Sequence, residues 1–357
     1  MRIAVDVNHP AHVHFFRNFI REMEGRGHDV LVTASEKDVA LRLLEEYGLD
    51  YVNLGAYGRS LGRKIAGIPR MDLRMYRIIR SFDPDVVLGF GSVRAAHASK
   101  LLGKPSIMFD DDEYSFPYYA PFADAVFGFS GFKKTGGKVV KINSYKELAY
   151  LHPDYFKPDT AALREMGVSA GEEFALLRFV SWEAFHDVGR GGFTPDLKRK
   201  LVETLGEYVT VFISSEGPLP RELERYRLPV GASRIHDVLY HAKLLVCDSQ
   251  TMTTEAAVLG TPAIRSNSFV GSNDMGNFIE LEGRYGLIFN YADPKEAVDK
   301  AIELVQTEGL KELWRDRRRR LLEEKVNVTA FMVWLFGRYP DGLELVRRDP
   351  SVQYRFR

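Results

Sequence analysis

The sequence predicts an α/β protein made of two doubly wound, parallel-sheet (Rossmann-like) domains facing each other across a cleft. Three observations carry that expectation. Short apolar runs alternate with stretches of helical periodicity along most of the chain, the rhythm of βαβ units. The rhythm breaks once, at 144–171, where Pro153 and Pro158 flank only a short helical pattern, which reads as an interdomain connection. At 357 residues the chain exceeds one common-sized domain and suits two, each able to bury its own core.

In the first half, strands are expected at 3–7, 29–34, 51–54, 85–89, 106–109, 125–129 and 139–142, with helices at 15–25, 37–47, 72–81 and 94–102. In the second half, strands fall at 174–180, 209–214, 244–247, 263–266 and 287–290. A clean amphipathic helix covers 294–306, and further helices cover 310–325 and 329–336. The expected domains are therefore 1–150 and 172–325, joined by a linker at 151–171, with 326–357 a helical segment packing back on the first domain. In such sheets ligands bind beyond the carboxyl ends of the strands, which places the site in the cleft.

Composition narrows the class. The residues are 45% hydrophobic and 27% charged, ordinary for a soluble globular protein, and the zero formal net charge gives no global field to gather nucleic acid. Cys247 is the sole cysteine and lies in a strand pattern, so no internal disulfide forms and a cysteine-based metal site is not expected. The N-terminus reads as a strand rather than a secretory signal, and no run approaches the roughly 20 apolar residues of a membrane span. A cytoplasmic location is expected.

The richest motif is Asp248-Ser249-Gln250-Thr251-Met252-Thr253-Thr254-Glu255, running to Gly260-Thr261-Pro262. It follows the apolar run Leu244-Leu245-Val246-Cys247, a buried parallel strand in pattern. Small hydroxyl residues open a helix there, offering free backbone amides and a positive dipole end to a phosphate, while Glu255 is placed to hold a ribose diol. The same residues also suit an ordinary capped helix. Arg178, near the end of the 174–180 strand, is a diphosphate candidate, with Arg265 as the fallback; interdomain ion pairing is the other reading of both. Beyond Arg178 come Ser181-Trp182-Glu183-Ala184-Phe185-His186 and the turn Gly189-Arg190-Gly191-Gly192. His236-Asp237 opens the helix before the Leu244 run, and His236 is a candidate contact to base or ribose.

Three first-domain loops sit at the corresponding strand ends. Asn8-His9-Pro10-Ala11-His12-Val13-His14 offers His12 as a base or hydrogen-bond donor, while His9 and His14 are expected to be structural. No metal site is expected, because His12 and His14 diverge on a helix. Gly89-Phe90-Gly91-Ser92-Val93-Arg94 is a glycine turn in which Gly91, Ser92 and Arg94 are acceptor-binding candidates. Asp110-Asp111-Asp112-Glu113 reads as a general base, a divalent-ion site or a solvated loop, with Asp110 or Asp111 the catalytic candidates. Separately, 57–82 carries seven basic residues (Arg59, Arg63, Lys64, Arg70, Arg74, Arg77, Arg80) against the acid Asp72. Arg70, Arg74 and Arg77 share one helix face opposite Met71, Met75, Ile78 and Ile79, either a helix packed on the sheet by its apolar side or one drawn to anionic lipid at the inner membrane surface or to a lipid-diphosphate acceptor.

Together these loops resemble the GT-B superfamily of nucleotide-sugar enzymes. Asp85-Val86-Val87-Leu88-Gly89-Phe90-Gly91-Ser92 with Leu102-Gly103-Lys104-Pro105 is similar to the glycine turn of the N-acetylglucosaminyltransferase of peptidoglycan lipid synthesis, and His12-Val13 matches its N-terminal turn without the glycines. The Asp248–Pro262 motif is similar to the UDP-binding segment of UDP-N-acetylglucosamine 2-epimerases, which implies diphosphate contact by Ser249 and ribose contact by Glu255. Those epimerases carry paired glycines where Gln250 and Thr251 stand here. Over nearly its full length the chain resembles a prokaryotic, largely archaeal GT-B-like family of unknown function, through Asn8–Phe16, Lys146-Glu147-Leu148-Ala149-Tyr150-Leu151-His152-Pro153 and the Asp248 motif.

The resemblance implies a glycosyltransferase using a UDP-hexose or UDP-N-acetylhexosamine in cell-envelope glycan synthesis. The sugar nucleotide is a substrate, with no tightly bound cofactor or metal, and the acceptor is a glycan or a lipid-linked hydroxyl. Nucleotide contacts fall to Arg178, His236, Ser249, Gln250, Thr251 and Glu255, and deprotonation of the acceptor to His12 or Asp110. The alternatives are a 2-epimerase-like enzyme using Asp110, Asp111 and Glu113, although the Gly-Thr-Arg-Pro motif of those epimerases is missing, and a non-catalytic sugar-nucleotide-binding protein.

Overall fold

A computed structural model describes residues 1–37, 39–56, 61–169, 171–181, 191–272 and 274–357, with the backbone alone at 61–66 and 68. The chain divides into two compact units, Met1–Tyr155 with Lys325–Arg357, and Phe156–Glu324.

The first unit holds seven strands: β1 (Arg2–Val7), β2 (Asp29–Ser35), β3 (Val52–Gly55), β4 (Val86–Phe90), β5 (Ser106–Asp110), β6 (Ala125–Gly128) and β7 (Val139–Lys141). They form one parallel sheet in the order β3-β2-β1-β4-β5-β6-β7. The order reverses between β1 and β4, so the loops after these two strands diverge there. Strands β4, β5 and β6 are buried at every position, because helices cover both faces and leave no polar side for alternation. Phe15, Phe90, Phe109 and Phe129 interlock at ring separations of 5.1 to 6.4 Å beneath the strand ends. The Val328–Gly337 helix belongs to this unit: Phe336 meets Phe19 edge-on at 5.4 Å, and the Thr329 hydroxyl donates to the Ala149 carbonyl at 2.6 Å.

The second unit has five parallel strands: β8 (Phe174–Phe179), β9 (Thr210–Ser215), β10 (Leu244–Cys247), β11 (Ala263–Ser266) and β12 (Ile288–Tyr291), in the order β12-β11-β10-β8-β9. Its switch point falls between β8 and β10, where Cys247 pairs in register with Arg178.

Every expected strand forms, within a residue or two of its expected ends. Helix starts differ more. The first helix runs Pro10–Gly25 rather than from Phe15, because Pro10 occupies its first turn and the His9 side chain accepts the Ala11 amide at 3.2 Å. The basic helix runs Leu61–Phe82 and contains Pro69, so it begins well before the expected Asp72. Among the described residues, no helix is long and apolar enough to cross a membrane.

Candidate functional site

At the carboxyl edge of the first sheet, one residue governs the rest. Asp6 interrupts the apolar run of β1 and is completely buried. Arg94 Nη2 lies 2.7 Å from its Oδ1, and Arg94 Nε reaches both carboxylate oxygens at 3.1 and 2.9 Å. The Ser92 and Thr33 hydroxyls complete the shell at 2.5 and 2.8 Å. Arg94 also donates to the Ser35 hydroxyl at 2.9 Å and the Val7 carbonyl at 3.2 Å. Ser92 and Arg94, expected to reach an acceptor, are thus turned inward. A buried carboxylate without such partners would cost several kcal/mol, so their donors go to Asp6.

Gly91 adopts φ +52°, and a Cβ there would lie 2.7 Å from Ser115 Oγ and 3.6 Å from Asp110 Oδ2. Glycine therefore lets the β4 turn close onto the acidic loop. Its amide is taken by the Phe109 carbonyl at 2.8 Å, so this expected acceptor contact also lacks a free backbone donor.

Asp110 is buried and accepts the Tyr119 hydroxyl at 2.6 Å and the amides of Asp111 and Asp112 at 3.0 and 3.3 Å. Burial, reinforced by the charge of Asp112, pushes its carboxyl well above the usual range, against the opposing Tyr119 hydrogen bond. The Asp111 carboxylate pairs with the Lys146 ammonium, which also lies 3.6 Å from Glu147. Burial alone would lower Lys146, but Asp111 and Glu147 outweigh it and hold the ammonium above the ordinary lysine range. Asp110, Asp111 and Asp112 bring carboxylate oxygens within 4.8 Å of one another, with Lys146 already seated on one of them.

His12 stands at the start of the Pro10–Gly25 helix. Its ring tilts over Phe90 at 4.9 Å, and its shielded Nδ1 has no hydrogen-bond partner among the described residues. Burial, then the electrostatic influence of His9 and the positive charges of Lys146, Lys37 and Arg94, hold it well below the usual histidine range, so it is a neutral imidazole near pH 7. His9 caps its helix, and His14 is buried beside Tyr47 and Tyr150.

In the second unit the Gln250–Leu259 helix starts at the end of β10. Ser249 caps it by accepting the Met252 amide at 3.3 Å, and Gly260 ends it at φ +78°. The amides of Gln250 and Thr251, both half-buried, have no intrahelical acceptor, leaving donors at the positive end of the dipole. Further along this helix Glu255 is buried and meets His236 Nε2 at 3.0 Å, so two expected nucleotide contacts come together in the interior. Arg178, at the adjoining strand end, donates to Ser214 Oγ at 2.9 Å and pairs with Glu216. Its buried Nε has no partner among the described residues.

Asp248 accepts the Val180 amide at 2.9 Å, while Asn267 donates to the Asp248 carbonyl at 2.9 Å, tying the ends of β8, β10 and β11 together. Gly192 packs on Asp248 so closely that a Cβ would sit 2.3 Å from its Oδ2. Arg265, the fallback for diphosphate, is corrected outright. It is completely buried, paired with Asp274, and lies 3.5 Å from the centre of the Phe278 ring. Both partners belong to the same unit, so it is no interdomain ion pair either. Cys247 is buried beside Thr253 Oγ1 at 3.1 Å, and burial pushes its thiol up to about 12. Trp182, Glu183, Ala184, Phe185, His186, Gly189, Arg190 and Arg59 lie outside the described residues.

The basic helix buries Met71, Met75 and Ile79 and leaves Arg70, Arg74 and Arg77 exposed, as its periodicity predicts. Arg74 turns aside to donate to the Leu54 carbonyl at 2.6 Å. Sequence reasoning missed Asp6, Lys146 and Asn267. The first had a legible signal, an acid inside the apolar run Ile3-Ala4-Val5-Asp6-Val7. Lys146 and Asn267 are single polar residues whose partners only the fold brings near.

The chain matches the family described as "Protein of unknown function (DUF354)" across residues 1–330, and it belongs to that family. It is 22% identical over 279 residues to an uncharacterized protein of Methanocaldococcus jannaschii, covering 73% of this chain and 80% of that one. Among solved structures it is similar to the UDP-GlcNAc 2-epimerase from Methanocaldococcus jannaschii, with a TM-score of 0.62 at 16% identity over 90% of this chain and 99% of that one. It is also similar to the Streptomyces sp. SF2575 glycosyltransferase SsfS6 complexed with thymidine diphosphate, with a TM-score of 0.60 at 15% identity over 94% and 99%. The fold is therefore GT-B-like, with a parallel α/β sheet in each unit.

Proposed function

We propose that this member of the family is a nucleotide-sugar-dependent glycosyltransferase, using a UDP-hexose or UDP-N-acetylhexosamine in cytoplasmic steps of cell-envelope glycan synthesis. The observation that carries the reading is the Ser249-capped helix at the switch point of the second sheet. Its open amides at Gln250 and Thr251 lie at the strand end next to Arg178. The diphosphate would sit against these amides, with Arg178 adding charge beside Glu216. Glu255, oriented by His236, would turn to the ribose hydroxyls. The likeness to a glycosyltransferase holding thymidine diphosphate supports this reading.

The chemistry belongs to the first unit. His12, a neutral imidazole, takes the proton of the acceptor hydroxyl, on a glycan or a lipid-linked sugar, as that oxygen attacks the anomeric carbon. The new C–O bond forms as the bond to the diphosphate breaks, and the nucleoside diphosphate leaves with the electron pair, giving inversion. Asp110, the other expected base, is buried, already accepts three hydrogen bonds and is biased toward its protonated form. Ser92 and Arg94 act through Asp6 to fix the strand ends rather than by touching the acceptor.

Thermal-shift screening against UDP, GDP, dTDP and their sugars tests the reading. A diphosphate nucleotide should raise Tm, and no stabilisation by any of them contradicts it. The fold likeness to a 2-epimerase favours one other reading. Incubation with UDP-N-acetylglucosamine in D2O separates the two: a transferase leaves the C2 proton in place, whereas deuterium at C2 marks an epimerase.

A further inference from the structure

The basic helix changes character once its buried side is fixed. With Met71, Met75 and Ile79 inside, the line facing directly outward is Arg70, Leu73, Arg77 and Arg80, at alternating spacings of three and four. Arg74, held by the Leu54 carbonyl, lies off that line. None of Arg70, Arg77 and Arg80 has a carboxylate partner among the described residues. The nearby acid, Asp72, flanks that line, its carboxylate 3.5 Å from His97 on the Val93–Leu102 helix.

His97 is the seam of a wider patch. Its ring meets Phe122 edge-on at 4.5 Å, and its Nε2 lies 3.2 Å from the Tyr118 carbonyl. One turn further along the same helix stands Leu101, 76% exposed. Tyr118 is 62%, Leu73 48% and Phe122 38% exposed. Phe122 and the Tyr118 carbonyl thus meet His97 directly, while Leu101 on the His97 helix and Leu73 beside Asp72 add exposed apolar surface on the two helices that the His97–Asp72 contact joins. Isolated exposed leucines need no explanation, but this grouping does.

We propose that this face of the first unit docks on the surface of an anionic phospholipid bilayer. The arginines meet the lipid phosphates, while Leu73, Leu101, Tyr118 and Phe122 enter the boundary between headgroups and acyl chains. Charge complementarity selects an anionic surface, and the apolar residues select lipid over nucleic acid. A phosphodiester strand would satisfy the arginines and leave a three-quarters exposed leucine in water. The proposal stands apart from the nucleotide reading, since none of these residues belongs to that site.

The test is co-sedimentation of the 357-residue chain with vesicles of phosphatidylcholine alone or mixed with phosphatidylglycerol. Binding should rise with phosphatidylglycerol and fall with salt. The triple variant Arg70→Ser, Arg77→Ser, Arg80→Ser should lose about a hundredfold in partitioning, since each cation near an anionic surface contributes roughly a factor of five. The double variant Leu73→Ser, Leu101→Ser should lose several-fold at unchanged charge, whereas Arg315→Ser with Arg319→Ser, on the second unit, should bind as the parent does. All these side chains are exposed, and circular dichroism verifies folding. Equal binding to both vesicle types overturns the proposal, as does an unaffected triple variant. Stronger retention on RNA than on phosphatidylglycerol vesicles also overturns it and assigns the face to nucleic acid.

Discussion

The two sheets end in loops of the same kind, yet they use their polar residues in opposite ways. After β1 and β4 in the first unit, Asp6, Ser92, Arg94, Thr33 and Ser35 bond to one another in the interior. After β8 and β10 in the second, Ser249 caps a helix whose first amides have no intrahelical acceptor, and Arg178 Nε, at the adjoining strand end, has no partner among the described residues. One switch point is closed on itself, and the other retains unmet donors. Equivalent positions in one topology therefore do not imply equivalent roles; what matters is whether a strand carries its own buried charge. β1 does, in Asp6, and its neighbours are recruited to neutralise it.

The largest effect should come from opening the closed network. Asp6→Ala strands the Arg94 guanidinium in the interior and should cost about 3–5 kcal/mol of stability in urea unfolding. The double variant Asp6→Leu, Arg94→Met removes both charges and should recover most of that loss. If Asp6→Ala unfolds like the parent, the closed-network view fails. In the second unit, Ser249→Ala removes a helix cap and should cost about 1 kcal/mol. It should also weaken nucleotide binding, which the Asp6 double variant should leave unchanged. A Ser249→Ala that loses stability alone would reduce Ser249 to a cap.

A smaller effect concerns protons. The native His12 titrates below its unfolded value, so the unfolded chain takes up a proton first as pH falls. Stability from this group is complete above about pH 6.5 and is lost as pH drops from there toward the native value. NMR titration of His12 should give a midpoint below the ordinary histidine range, and Lys146→Gln should move it upward by removing a nearby positive charge. A midpoint at or above 6.5 would remove the neutral base from the account.

Much of the fold was legible because βα repetition is written in local patterns. Each apolar run became a strand, and the Asp248–Pro262 motif became a turn and a helix between two strands. Helix starts were less legible: His9 caps and Pro10 begins a helix where three histidines suggested a loop. The site residues were found as types but not as partners. Arg265 reads as a diphosphate ligand and Arg94 as an acceptor contact, yet Asp274 and Asp6 neutralise them across 9 and 88 positions of sequence. Spacing along a chain carries no information about such partners, and long-range pairing decides whether an arginine is a ligand or a rivet.

The central claim, that the second unit holds the nucleotide and the first supplies the chemistry, is tested most directly by calorimetric titration of UDP into three proteins. The parent should bind, Glu255→Ala should bind at least about tenfold more weakly through loss of a charged hydrogen bond, and His12→Ala should bind as the parent does. Equal affinity in the parent and Glu255→Ala, or a loss confined to His12→Ala, would contradict the account.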